Sequence, residues 1–307
     1  MSFGRSAVRF LDGLTRCAKE RYRLTLRDTR SGHTRAAQSP LASYYADPFV
    51  VADGDATWAF FEEFHYPTNR GYIAAARITS DLSLEGPGRV LDVGCHASFP
   101  FVFREAGTFF MLPETSGSRC VDLHTCVAMP DRWQRAARLL DGVDCADSVL
   151  HRHDGVWYLI TSETDERTSP NRWLAIYASD SLTSGRWRAH PVNRERRYAD
   201  RAHGYGRNAG ALVHAGAHLL RPMQASEEYY GQAMRVMQVV ALTESRYEEI
   251  PFEGQHVFCG IAAECSTHHV SEAGGIVAWD TRTRVGYLRG AAPREGTDTR
   301  RSAGAGS

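Results

Sequence analysis

The chain of 307 residues is 43% hydrophobic and carries 36 basic against 36 acidic residues, which is enough apolar material for a large core. A formal net charge of zero provides no field to draw nucleic acid or an anionic membrane, so both partner classes are set aside. The seven cysteines include no C-x-x-C pair; they are read as reduced structural thiols, and the spacing indicates neither a metal site nor a cofactor.

In chain order, residues 1–39 form a lead-in. Phe3, Val8, Phe10, Leu11 and Leu14 suit a short helical or irregular extension, while Arg9, Asp12 and Arg16 break the apolar run that a signal peptide needs. No later run has the apolar length of a membrane span, so a cytoplasmic protein is expected. Residues 290–307, GAAPREGTDTRRSAGAGS, lack large apolar side chains and are expected to be disordered.

Between these ends, short apolar runs punctuated by Gly, Asp and Asn predict an all-β chain over residues 40–289. One phrase recurs: ADPFVV-ADGD-TWAFFEE from Ala46, SFPFVF-REAG-TFFMLPE from Ser98, and DSVLHR-HDG-VWYLITSE from Asp147. Each copy is a first strand, a polar turn with glycine and an aromatic second strand, which is a β-hairpin. Fainter copies are RNAGALVHAGAHLLRPMQ from Arg207 and CSTHHVSEAGGIVAWD from Cys265. With Asp47, Ser98, Asp147, Asn208 and His269 as equivalent hairpin starts, the intervals are roughly fifty to sixty residues, the size of a four-stranded propeller blade. The prediction is a five-bladed β-propeller, with GYIAAARI from Gly71, RWLAIYAS from Arg172 and MRVMQVVAL from Met234 as outer strands. A two-sheet sandwich is the alternative, although it does not require such repetition.

In a propeller the first strand of each blade lines the central channel, and the second returns antiparallel to the same mouth. Asp47 and Asp147 are therefore expected in one depression, with Glu63 and Glu114 at the hairpin ends as further candidates. Like charges crowded in a partly desolvated site have their acidities driven apart, and acid-base sugar chemistry uses that separation. Arg207, Asn208, Arg221 and Gln224 from the fourth copy and His268 or His269 from the fifth, with His269 taken as the hairpin start, are candidates to bind hydroxyls or an anionic substituent. His96 is a candidate to orient a carboxylate, and Tyr230 to stack on a sugar face. Each has a bland alternative: Asp47 before Pro48 can serve a turn, and an Arg can simply neutralise acids.

The series ADPF…FFEE, HASFPFVF…GTFFMLPE, CADSVL…DGVWYLITSE and RNAGAL…LLRPMQ resembles the propeller domain at the N-terminus of plant glucosamine inositolphosphorylceramide transferases and their bacterial relatives. That group is in turn distantly similar to family 43 glycoside hydrolases. The resemblance covers about residues 40–285. It implies that Asp47 matches a general base and Asp147 the residue that tunes the acid and positions substrate. Where those hydrolases place an acid Glu, this chain has Arg207, Asn208 and Ala209, so Glu114 or Glu63 would have to take over. Glycosyl transfer in the plant proteins belongs to a separate domain and is not implied for this region. The expected function is a glycoside hydrolase-like enzyme acting on a sugar or other small molecule. The alternatives are a noncatalytic sugar-binding propeller serving a partner enzyme, or a repurposed propeller catalysing cyclisation or elimination on a small metabolite.

Overall fold

The computed structural model describes residues 18–165, 172–183, 186–199, 206–263 and 266–286, and residues 21–283 form one compact unit. The described residues begin with β1 (Ala18–Asp28) and β2 (Thr34–Ala36) and then build four consecutive four-stranded sheets. The first is β3 (Ser43–Asp53), β4 (Ala56–His65), β5 (Arg70–Ile78) and β6 (Leu84–Leu91). The second is β7 (Ser98–Glu105), β8 (Thr108–Glu114), β9 (Cys120–Ala128) and β10 (Arg132–Asp141). β11 (Cys145–His153), β12 (Val156–Glu163), β13 (Trp173–Ser179) and β14 (Arg188–Ala189) make the third; β15 (Val213–Ala215), β16 (His218–Gln224), β17 (Met234–Leu242) and β18 (Tyr247–Pro251) make the fourth. A short helix α1 (Val257–Ala262) leads into β19 (Thr267–Ala273) and β20 (Ile276–Gly286).

The fifth sheet has the order β19-β20-β1-β2. Its inner hairpin comes from one end of the chain and its outer strands from the other, so the ring is closed by strand pairing. This moves the expected boundary at residue 40: residues 18–36 supply the two outer strands of the fifth sheet because the outer edge of β20 would otherwise be unpaired. The expected helix over Phe3–Leu14 and the tail 290–307 lie outside the described residues. No helix among the described residues is long and apolar enough to cross a membrane.

The predicted outer segments are all third strands. In β5, Gly71 through Ala76 is buried throughout, as expected where a strand is covered on both faces by neighbouring blades. Phe49, Phe99, Leu112, Val149, Ile160 and Leu174 join one core that runs across blades, each side chain contributing roughly 1.5–3 kcal/mol by leaving water.

A bulge interrupts the start of the inner hairpins. Ala46 pairs with Glu62 and Phe49 with Phe60, so Asp47 and Pro48 together face one residue; the same shift occurs at Ser98/Phe101 and Ala146/Val149. Asp47, Phe99 and Asp147 take φ of 50, 44 and 51°. Aspartate tolerates this left-handed region better than most residues, and the bulge re-aims its side chain. In the fourth blade the inner strand is reduced to β15 and an isolated Asn208–Met223 bridge. Gly210 there sits at φ 147°, with the Val270 carbonyl oxygen 2.1 Å from where a Cβ would be, so the close approach of the fifth blade excludes any side chain.

Candidate active site

The bulges determine what the acids at this end do first. A bulge frees a backbone N–H, and a buried N–H must be paired. The Asp47 N–H donates to Asp280 Oδ2 at 2.8 Å, the Phe99 N–H to Asp47 Oδ2 at 3.2 Å, and the Asp147 N–H to Glu114 Oε2 at 2.9 Å. In each case a carboxylate of the preceding blade clasps the bulge of the next. This recurrence explains why acids open and close the hairpins before any chemistry is considered.

Around the clasps is a dense ionic cluster. Arg207 grips Asp147 with Nε and Nη2 at 2.5 and 2.9 Å and reaches Glu114 Oε2 at 3.2 Å. Gln224 Nε2 donates to Asp147 Oδ2 at 3.0 Å. On the other side, His268 Nδ1 lies 2.6 Å from Asp280 Oδ1 and its Nε2 3.5 Å from Asp47 Oδ1. Both ring nitrogens thus face carboxylates. Burial works to lower the His268 pKa, but Asp280 and Asp47 outweigh it and raise it, favouring the imidazolium. Tyr22 stacks on this ring at 4.5 Å, and Tyr230 meets it edge-on at 5.6 Å while lying 5.1 Å from the Arg207 guanidinium.

Arg207 and His268 between them serve four of the five acids and leave Glu62 without a cation, so the acidities diverge. Burial raises Asp47 to about 6 against the pull of His268. Burial also raises Asp147, although Arg207 opposes it. For Glu114 burial is outweighed by Arg207, Arg172 and the Asp147 N–H, leaving it below the ordinary value. Glu62, 6% exposed, is pushed well above the ordinary value by burial and by Asp47 and Glu114. The atoms of Asp47, His268 and Asp280 that could hold a cation lie within 4.8 Å of one another; the hydrogen bonds described above already account for this grouping.

Several predicted residues lie elsewhere. Glu63 accepts from Ser43 Oγ at 2.9 Å and from Arg89 Nε at 2.8 Å, outside the cluster. The residues that pair just before each bulge are Glu62, Glu114 and Ser162, so the equivalent of Glu114 is Glu62, one residue earlier. Arg221 is fully buried and binds Glu249 at 3.0 and 3.1 Å, Asn208 Oδ1 and the Gly206 carbonyl. Asn208 donates to the Asp147 and Ile160 carbonyls, tying the fourth blade to the third. His269 lies between Phe49 and Phe99 at 4.5 and 5.1 Å, and burial drops its pKa to about 3, so it is a neutral core residue. Its neighbour His268 occupies the cluster instead. Asp280 was not anticipated; the available signal was an acid inside the apolar strand GGIVAWD, where a buried charge demands a partner.

His96 meets Glu62: its Nε2 is 3.5 Å from Glu62 Oε1, and its Nδ1 accepts the Gly71 N–H at 2.9 Å. A Cβ on Gly71 would lie 2.2 Å from Glu62 Oε1 and 2.6 Å from the Ala97 carbonyl oxygen. Gly71→Ala should therefore displace Glu62 and cost about 1–3 kcal/mol, seen as a lower denaturant midpoint; an unchanged midpoint would show that the cradle is not tight.

Two depressions elsewhere carry less chemistry. A groove of about 480 Å³ between the first and fifth blades has Asp55 and Arg77 standing in solvent. A pocket of about 280 Å³ farther along the inner strands is lined mainly by apolar residues such as Phe49, Phe101, Leu150 and Val270. Neither gathers buried ionisable groups, so the acid cluster is the candidate site.

Comparison with known proteins agrees with this fold. Residues 31–260 match the family described as glucosamine inositolphosphorylceramide transferase 1, N-terminal. The transferases of that name from Oryza sativa subsp. japonica and Arabidopsis thaliana are each 32% identical to 68% of this chain. The chain spans only 28% and 27% of their lengths. Among solved structures, a thermostable family-43 glycoside hydrolase superposes with a TM-score of 0.51 at 10% identity, over 73% of this chain and 84% of that one. An exo-β-1,3-galactanase from Clostridium thermocellum gives 0.52 at 16% identity, over 67% and 49%. At these identities the likeness establishes a shared fold.

Proposed function

We propose, from the premise that this chain belongs to the glucosamine inositolphosphorylceramide transferase 1 N-terminal family and has the fold of family 43 glycoside hydrolases, that it binds a sugar at the acid cluster and hydrolyses a glycosidic bond there. The observation carrying the proposal is the set of buried acids with separated acidities around Asp47. Asp47 keeps one oxygen on the Phe99 N–H and turns the other toward His268, and a pKa of about 6 leaves it ionised at neutral pH, able to take a proton from water. By the resemblance, Arg207, Asn208 and Ala209 stand where the hydrolases carry their fourth-blade acid, and Asp147 holds the Arg207 guanidinium; Asp147 is thus assigned a positioning role. Tyr230 offers the ring face.

A second reading follows from the same arginine. Because Arg207 engages both Asp147 and Glu114, the site could bind sugar without cleaving it. Calorimetric titration and product assays on one panel of oligosaccharides and aryl glycosides separate the two: the proposal expects saturable binding with product release, whereas binding without product supports the noncatalytic reading and rejects cleavage. Absence of both would remove sugar from the account.

A further inference from the structure

We infer that Glu62, held by His96 and Gly71, is the proton donor to the leaving oxygen in the proposed hydrolysis. This rests on the hydrolytic reading and supplies the acid that the fourth blade lacks. The other acids of the cluster are committed: Asp280 to the Asp47 N–H and His268, Asp47 to the Phe99 N–H, Glu114 to the Asp147 N–H and Arg207, and Asp147 to Arg207 and Gln224. Glu62 differs. Its side chain is 7% exposed, yet its Oε1 has no hydrogen-bond partner among the described residues. The nearest donor to Oε1, His96 Nε2, stands off at 3.5 Å, and a buried carboxyl so weakly compensated is favoured as the neutral acid.

The surroundings are shaped for that carboxyl. Gly71 is the one residue type that leaves room beside Oε1. The Gly71 N–H, by donating to His96 Nδ1, fixes the proton of the neutral ring on Nε2, the nitrogen facing Glu62. His96 is a positioning residue, with its side chain 44% exposed at the edge of the site. Glu62 also occupies the pre-bulge pairing position that Glu114 holds in the next blade, so its strand delivers it to the same mouth as Asp47.

The step balances with water as co-reactant. Water attacks the anomeric carbon and gives a proton to the Asp47 carboxylate, while the carbon–oxygen bond breaks with its electron pair going to the leaving oxygen. That oxygen takes the Glu62 proton, leaving an alcohol, a hemiacetal, protonated Asp47 and ionised Glu62; solvent resets both.

The test uses the full chain and Glu62→Gln on matched dinitrophenyl and alkyl glycosides, together with thermal melts of both proteins across pH. A dinitrophenolate departs without a proton and an alkoxide does not. The expected result is a loss of about 10²–10⁴-fold in kcat on the alkyl glycosides, with the dinitrophenyl rate much less affected. Equal losses on both, or none on either, would overturn the assignment. The melts need no substrate. A carboxyl with a raised pKa in the native state makes the native protein bind more protons, so wild type should lose stability relative to the variant as pH rises from the ordinary carboxyl range through the raised native value. A flat difference overturns the proposal even if sugars are cleaved. A sloping difference with no turnover of any glycoside rejects the hydrolytic reading and, with it, the donor role, while leaving Glu62 a protonated buried acid.

Discussion

Asp47→Asn should lower kcat on a cleaved glycoside by about 10²–10⁴-fold while leaving the fold and sugar affinity nearly intact. Asparagine keeps the volume, an oxygen for the Phe99 N–H and tolerance of the left-handed bulge, so the clasp between blades survives. What it loses is the ability to accept a proton. The wild-type rate should also rise as pH increases through about 6, the value to which burial raises Asp47, because the base works only when ionised, and this limb should vanish from the residual activity of the variant. Loss of cooperative melting in Asp47→Asn would show that the carboxylate serves the fold alone; unchanged kcat would show that it is not the base.

Arg207→Gln is expected to produce the largest stability effect at the site. The guanidinium binds Asp147 bidentately and also reaches Glu114, with 15% of its own side chain exposed. Removing one partner of such a buried group costs about 3–5 kcal/mol, because the remaining charges are uncompensated. The sign of the pH dependence follows from Glu114. Its pKa is depressed in the native state, so it contributes stability above its unfolded pKa that is lost as pH falls through the folded value. The variant lacks that contribution, so the melting difference should be fully present above the ordinary carboxylate range and shrink as pH falls below it. A constant difference would place the role of Arg207 in packing against Tyr230 rather than in charge.

The propeller could be read from the sequence because the inner hairpin repeats a local pattern: a turn glycine in every blade, an aromatic second strand in all but the fourth, and strongly apolar third strands in the first and third. The strands that close the ring could not, since β1 and β2 carry no hairpin phrase and find their partner only through the return of the chain. Within the site, Asp47, Asp147 and Glu114 were identifiable because the acids repeat at the bulges. Register then decided the misses. FFEE presents two glutamates, and a slip of one residue exchanges the channel face for the outer one, which is why Glu63 stood for Glu62. The pair His268–His269 poses the same ambiguity, resolved by Phe49 and Phe99 taking His269 into the core. Arg221 looked like a ligand group because its partner Glu249 lies on the fourth strand of the blade, a pairing that no local spacing announces.

The most direct test is a crystal structure of Asp47→Asn soaked with an oligosaccharide that the wild type cleaves or binds. The account predicts a sugar seated at the acid cluster, its anomeric carbon between residue 47 and the Glu62 carboxyl, its glycosidic oxygen within hydrogen-bond reach of Glu62, and Tyr230 against a ring face. A sugar bound in the groove beside Asp55 and Arg77, or in the apolar pocket at Phe101 and Leu150, with the acid cluster untouched, would contradict it.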